Sequence, residues 1–220
     1  KLTPLPEAKR TLRATYDDVR AAAEAVSAIM AQPVTPCALE FMDASAIEMV
    51  RQYSDLEVDT KTQALLMIEV DGTTDAIDTA ARKVADAAQN PGLISIETAR
   101  DAQMVAQLWR TRKALSPALR RVAPKKINED VVVPVSRIAE LISALEQLSR
   151  DSGIRIVNFG HAGNGNIHVN LLVDPEDPAA MARAEQCLDA VFELVLSLGG
   201  TLSGEHGVGL VKRDFVAREL

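Results

Sequence analysis

The chain has 220 residues, 47% hydrophobic and 25% charged, which is enough to bury a sizeable core of one large domain or two small ones. Its net charge of −7 argues against general affinity for nucleic acid or anionic membrane surfaces. No apolar run approaches the ~20 residues of a membrane span, and the opening KLTPLPEAKR lacks the apolar stretch of a signal peptide.

TLRATY (11–16) alternates and predicts a strand. DDVRAAAEAVSAIMAQ (17–32) has helical spacing, with Asp17 or Asp18 as cap and PVTP as stop. CALEFMD (37–43) predicts a strand and ASAIEMVRQY (44–53) a short helix. ALLMIEVDG (64–72) is an apolar strand closed by Asp-Gly, TDAIDTAARKVADAAQ (74–89) a helix and LISIET (93–98) a strand. The pattern then recurs. A connecting helix (99–119) leads to the strand INEDVVVP (127–134), a helix (136–153) with Gly153 as its stop, and two strands, IRIVNFGH and NIHVNLLVD, about a tight turn. A long helix (177–200) ends at a double glycine, and a short segment (201–203) follows. This predicts one α+β domain of two ferredoxin-like βαββαβ halves, about 1–99 and 100–220. The halves would share an antiparallel sheet with helices on one face, leaving the other for a site.

Low aromatic content, 3%, calls for an aliphatic core. Cys37 and Cys187 lie far apart, outside any CxxC pattern, and read as free thiols of a reducing cytosol. The chain starts at Lys1 and ends on the helical pattern DFVAREL without a stop signal, which reads as a piece of a longer protein.

Eight of the eleven glycines fall in 160–165 and 199–209, and these two stretches hold all three histidines. In NIHVNLLV, His168 and Asn170 share one face with Leu172, while Val169, Leu171 and Val173 share the apolar other. Val157 and Phe159 read as core-facing, so His161 is expected to need a bend at Gly160 and the turn to join His168. Glu205 is the sole carboxylate of 199–213, beside His206. His161, His168 and Glu205 form an oxygen/nitrogen set suited to zinc or manganese with positions left open. The alternative is a glycine-rich loop carrying exposed polar residues. Between Ala102 and Asn128 there is no acid, but Arg110, Arg112, Lys113, Arg120, Arg121, Lys125 and Lys126 are all present. That span is either a solvated helix face or an anion site.

NFGHAGNGNIHVNLLVD and GGTLSGEHGVGLVKRDF resemble the signatures of the C-terminal domain of FAD-linked oxidases, a family that includes D-lactate dehydrogenases, D-2-hydroxyglutarate dehydrogenases and a glycolate oxidase component. ALEFMD, MIEVDG, LWRTRK and INEDVVVP extend the resemblance over nearly the whole chain. It implies His161, His168 and Glu205 as metal ligands and His206 as the base that takes the substrate hydroxyl proton. Asn170 would contact substrate, and Arg112, with Ser116 one turn on, would grip its carboxylate. Some relatives carry a lysine where this chain has Asn128, with Lys126 nearby. The implied activity is oxidation of a D-2-hydroxy acid of lactate, glycolate or 2-hydroxyglutarate type to the 2-oxo acid. FAD would be held mainly by an N-terminal domain that this chain lacks, so the chain alone is expected to be inactive. The implied partners are the hydroxy acid, that flavin domain and an electron acceptor. A homodimer is compatible with this, as is a cytoplasmic location, peripheral to a membrane at most through the acceptor. The competing readings are a non-catalytic, metal-stabilised cap or subunit-interaction domain, and a metallohydrolase, for which HExxH is missing.

Overall fold

The computed structural model describes residues 4–53, 57–122 and 124–220, apart from the side chains of Tyr53, Ser116, Arg120 and Arg121. In chain order the elements are β1 (Ala8–Tyr16), α1 (Val19–Ala31), β2 (Ala38–Asp43), α2 (Ala44–Tyr53), β3 (Ala64–Gly72), α3 (Ile77–Ala87) and β4 (Leu93–Thr98). Then come α4 (Ala102–Val122), β5 (Lys125–Val132), α5 (Ile138–Ser152), β6 (Arg155–His161), β7 (Asn166–Val173), α6 (Pro178–Ser197) and α7 (Val216–Glu219). Local chemistry sets several ends. Asp18 accepts the Arg20 N–H ahead of α1, and Asp177 accepts those of Ala179 and Ala180 ahead of α6. Gly153, with φ of 66°, closes α5.

The strands form one seven-stranded sheet in the order β4-β1-β3-β2-β6-β7-β5, antiparallel throughout. The first four strands lie 4-1-3-2, as a ferredoxin-like unit requires. The second half repeats the order, with its fourth strand reduced to one bridge between Thr201 and Val132. β2 and β6 form the seam between halves, where Glu40 pairs with His161, Phe41 with Gly160 and Met42 with Phe159.

Alternation along the strands sorts the residues onto two faces. Phe41, Leu66, Ile68, Val169, Leu171 and Val173 enter the larger core, closed by α1, α3, α5 and α6. Met42, Leu65, Met67, Val157, Phe159 and Leu172 enter a smaller core on the reverse, closed by α2 and α4 through Ile47, Met49, Leu108, Leu115 and Leu119. The expected helical layer is thus the larger of two. α2 stands where a plain unit has a hairpin, and α4 links the halves, so neither is a crossover bound to the first face. Each fully buried Leu, Ile or Met contributes about 1.5–3 kcal/mol, which makes the smaller core a firm support for what lies beside it.

Candidate metal and active site

The β6–β7 hairpin sets the first two histidines. Its register pairs Phe159 with His168 and His161 with Asn166, and cross-strand partners point the same way. Phe159 faces the smaller core, so plain alternation already brings His161 to the face of His168. The expected bend at Gly160 is therefore corrected: Gly160 lies in the regular ladder, and a Cβ there would come 2.4 Å from the Asn166 carbonyl oxygen. The turn itself needs Gly165, whose φ of 74° is left-handed. The His161 and His168 rings meet edge to face, 5.4 Å between centroids.

Glu205 and His206 arrive from the opposite side. After α6 the chain pairs through Thr201 with Val132 at the sheet edge, then turns onto the smaller-core face. Asp130 of β5, fully buried and paired with His168 in the ladder, fixes that turn. Its Oδ2 accepts the backbone N–H groups of Gly204 (2.8 Å), Glu205 (2.5 Å) and His206 (2.9 Å), and the Ser203 hydroxyl also donates to it. Its Oδ1 accepts from the buried Lys212 ammonium at 2.5 Å and lies 3.4 Å from His206 Nδ1. Burial alone would push the Asp130 carboxyl up. Lys212 and the Glu205 and His206 amides overcome this and hold it well below the usual carboxylate range.

The two arms converge. Donor atoms of His161, His168 and Glu205 all lie within 4.8 Å of one another. Glu205 Oε1 is 3.2 Å from His168 Nε2, 3.8 Å from His161 Nε2 and 3.8 Å from His206 Nε2. A tetrahedral zinc with bonds of about 2.0–2.1 Å separates its ligand atoms by about 3.3 Å, so this donor set fits a divalent ion. Burial lowers the His168 pKa to about 4, which leaves its ring neutral, as a ligand must be. The hydrogen bond to Glu40 raises that of His161. The centre is open: the side chains of His161, Glu205 and His206 are 38%, 47% and 41% exposed.

Of the basic span, Arg112 reaches the site. It crosses the Phe159 ring at 4.9 Å and donates its Nε–H to Glu40 Oε2 at 2.7 Å. Glu40 Oε1 takes the other side, 2.6 Å from His161 Nδ1. Arg110 and Lys113 are exposed on α4. The Ser116, Arg120 and Arg121 side chains lie outside the described residues. Asn170 does not reach the surface. It is fully buried, and its amide donates to the Val157 and His168 carbonyls, so in this conformation it braces the sheet beneath the site. Asn128 pairs with Asn170 in the β5–β7 ladder. Sequence reasoning does not anticipate Glu40, Asp130 or Lys212; the available signal is an acid inside each of two apolar strands, ALEFMD and INEDVVVP.

Residues 5–220 match the family described as FAD linked oxidases, C-terminal domain. The chain belongs to that family. It is 36% identical over its whole length to a glycolate oxidase subunit GlcD of Bacillus subtilis (strain 168), of which it covers 47%. It is 32% identical to the GlcD subunit of Escherichia coli (strain K12), with 96% of this chain and 42% of that protein covered. A D-lactate dehydrogenase of Anaerostipes hadrus is 28% identical, with 100% and 48% covered. The chain thus spans less than half the length of these relatives. Among solved structures, p-cresol methylhydroxylase with substrate bound superposes with a TM-score of 0.69 at 15% identity, over 90% of this chain and 45% of that one, and so shares the fold. No helix of the described residues is long and apolar enough to cross a membrane.

Proposed function

We propose that this domain binds the substrate and a divalent metal, zinc or manganese, in an FAD-dependent dehydrogenase that oxidises a small D-2-hydroxy acid to the 2-oxo acid. The observation that carries the reading is the convergence of His161, His168 and Glu205 on one point, with His206 beside them. Family membership and the glycolate- and lactate-oxidising relatives support the substrate class.

When bound, the metal supplies Lewis acidity toward the hydroxyl oxygen and the flavin supplies the hydride acceptor. His206 takes the hydroxyl proton on Nε2, since its Nδ1 faces Asp130. That proton leaves oxygen as hydride leaves C2, which balances a two-electron oxidation. Arg112 holds the carboxylate through its two Nη groups, because Nε is engaged by Glu40. Hydride transfer calls for a water-excluded site. The exposure of His161, Glu205 and His206 therefore supports closure by a flavin domain, and exposed Leu210 and Val211 offer apolar surface beside the GEHG loop.

The test is metal analysis, a flavin spectrum and a panel of D-2-hydroxy acids on the full-length protein. His206→Ala with its metal content intact is expected to lose roughly 10²–10⁴-fold in kcat. Arg112→Ala is expected chiefly to raise KM. A metal-replete full-length protein that bleaches no flavin with any D-2-hydroxy acid would leave a non-catalytic cap.

A further inference from the structure

Glu40 lies on β2, in the first half of the chain, outside both glycine–histidine motifs. The β2–β6 register sets it directly opposite His161 at the seam. Its carboxylate is buried, with a side-chain exposure of 7%, and is divided between two partners. Oε1 meets His161 Nδ1 at 2.6 Å, and Oε2 receives Arg112 Nε at 2.7 Å. Among the described residues the Arg112 guanidinium has no other hydrogen bond, so its Nη groups remain unused.

We infer that Glu40 is the positioning residue of the centre: it holds the His161 proton on Nδ1, turning the Nε2 lone pair toward Glu205 and His168, and it anchors Arg112 by Nε, leaving both Nη groups for a carboxylate. The inference rests on His161 as a metal ligand and Arg112 as a carboxylate binder, as proposed above.

The chemistry follows from what each group can donate. A neutral imidazole carries one proton, and the nitrogen that carries it cannot ligate a metal. An ionised carboxylate only accepts, so a partner at Nδ1 that only accepts forces the proton there. Arg112 Nε also only donates, so Glu40 must accept at both oxygens. Glutamine has the same shape but one acceptor and one donor. With its oxygen toward Arg112, its N–H would meet Nδ1 and drive the His161 proton onto Nε2, the metal-facing nitrogen. With its oxygen toward His161, its N–H would confront Arg112 Nε–H and release the guanidinium. Glu40 thus ties the metal ligand of one half to the anion binder on the helix between halves.

The experiment compares metal-free full-length wild type with Glu40→Gln, Arg112→Met and His168→Ala. Imidazole nitrogen NMR at alkaline pH reads the tautomer of His161, and zinc is titrated against a chromophoric chelator. Wild type is expected to carry the His161 proton on Nδ1. Glu40→Gln should shift that proton toward Nε2 or, once zinc is restored, raise KM for a D-2-hydroxy acid through a loosened Arg112. Where the proton shifts, zinc affinity should fall about 10–100-fold. Arg112→Met should keep both the Nδ1 proton and the zinc affinity, and His168→Ala should abolish zinc binding. Wild-type zinc affinity, tautomer and KM in Glu40→Gln would overturn the role of Glu40 while the metal site stands. Equal loss of zinc affinity in Arg112→Met would assign the effect to packing at the seam and also overturn it. Zinc affinity unchanged by His168→Ala would overturn the metal reading and this inference with it. The wild-type spectrum decides even where Glu40→Gln does not fold, because a proton on Nε2 contradicts the inference.

Discussion

His161 and His168 stand on adjacent strands locked by a continuous ladder, whereas Glu205 and His206 stand on a loop wrapped about one buried carboxylate. The first pair inherits its geometry from the sheet and from the smaller core beneath Phe159. The second pair depends on a polar cluster at the sheet edge, next to exposed Leu210 and Val211. A site built this way has one arm as stable as the whole fold and one that a single substitution can release.

Asp130→Ala should have the largest effect, on the loop arm. It strips the acceptor from three backbone amides and leaves the Lys212 ammonium with Glu129 at 3.3 Å and the backbone carbonyl of residue 130 at 3.2 Å as its remaining partners. Removing one partner of a buried pair costs about 3–5 kcal/mol. Denaturant unfolding should record that loss, and the backbone amide signals of β6 should stay near their wild-type positions. A loss below about 1 kcal/mol would mean that the loop holds itself.

Gly165→Ala strikes the other arm. The left-handed φ alone costs an L side chain about 1–2 kcal/mol. A Cβ would also lie 2.0 Å from the Val133 carbonyl oxygen, so the total should exceed that figure. Because the ladder belongs to the whole sheet, the loss should appear in global stability, read by the same denaturant titration. An alanine variant as stable as wild type would show that the turn is not what sets the hairpin.

The strand arm is largely legible in the sequence because its geometry is local. Alternation in NIHVNLLV assigns Val169, Leu171 and Val173 to the core and His168 to the other face, as observed. His161 is misplaced by the same logic because Val157 and Phe159 look as if they face the helical core, when the reverse face has a core of its own under α2 and α4. No local pattern says which face a helix covers. Glu40 and Asp130 escape for the same reason. Each is an acid in an apolar strand, and its partner lies 121 residues away for His161 and 82 for Lys212. Only the pairing of β2 with β6, and the Thr201–Val132 bridge at the edge of β5, gives those acids a purpose.

A pH-dependent effect belongs to the seam but to neither arm. Asp43, buried on β2, accepts the Ala46 N–H and both nitrogens of Asn158. Burial pushes its pKa up to about 7 despite those donors, against about 3.9 in an unfolded chain. The folded state therefore holds this proton more tightly. The associated stability is fully present below about pH 4 and is lost as pH rises through about 7. The slope should reach at most about 1.4 kcal/mol per pH unit between those limits. Asp43→Asn should flatten it, as measured by unfolding across that range, and an unchanged slope would assign the titration elsewhere.

The smallest expected change is Leu210→Ser. Leu210 is 82% exposed, so stability of the domain should move by no more than about 0.5 kcal/mol. A larger loss, seen in denaturant unfolding, would mean that the loop arm has apolar support after all.

A strand arm and a loop arm are expected to close on one metal ion. Anomalous diffraction at the zinc edge, from crystals of the full-length protein grown with zinc, tests it directly. The account predicts one peak about 2.0–2.2 Å from Nε2 of His161, Nε2 of His168 and the Glu205 carboxylate. Zinc bound elsewhere, or no peak among these three side chains, would contradict it.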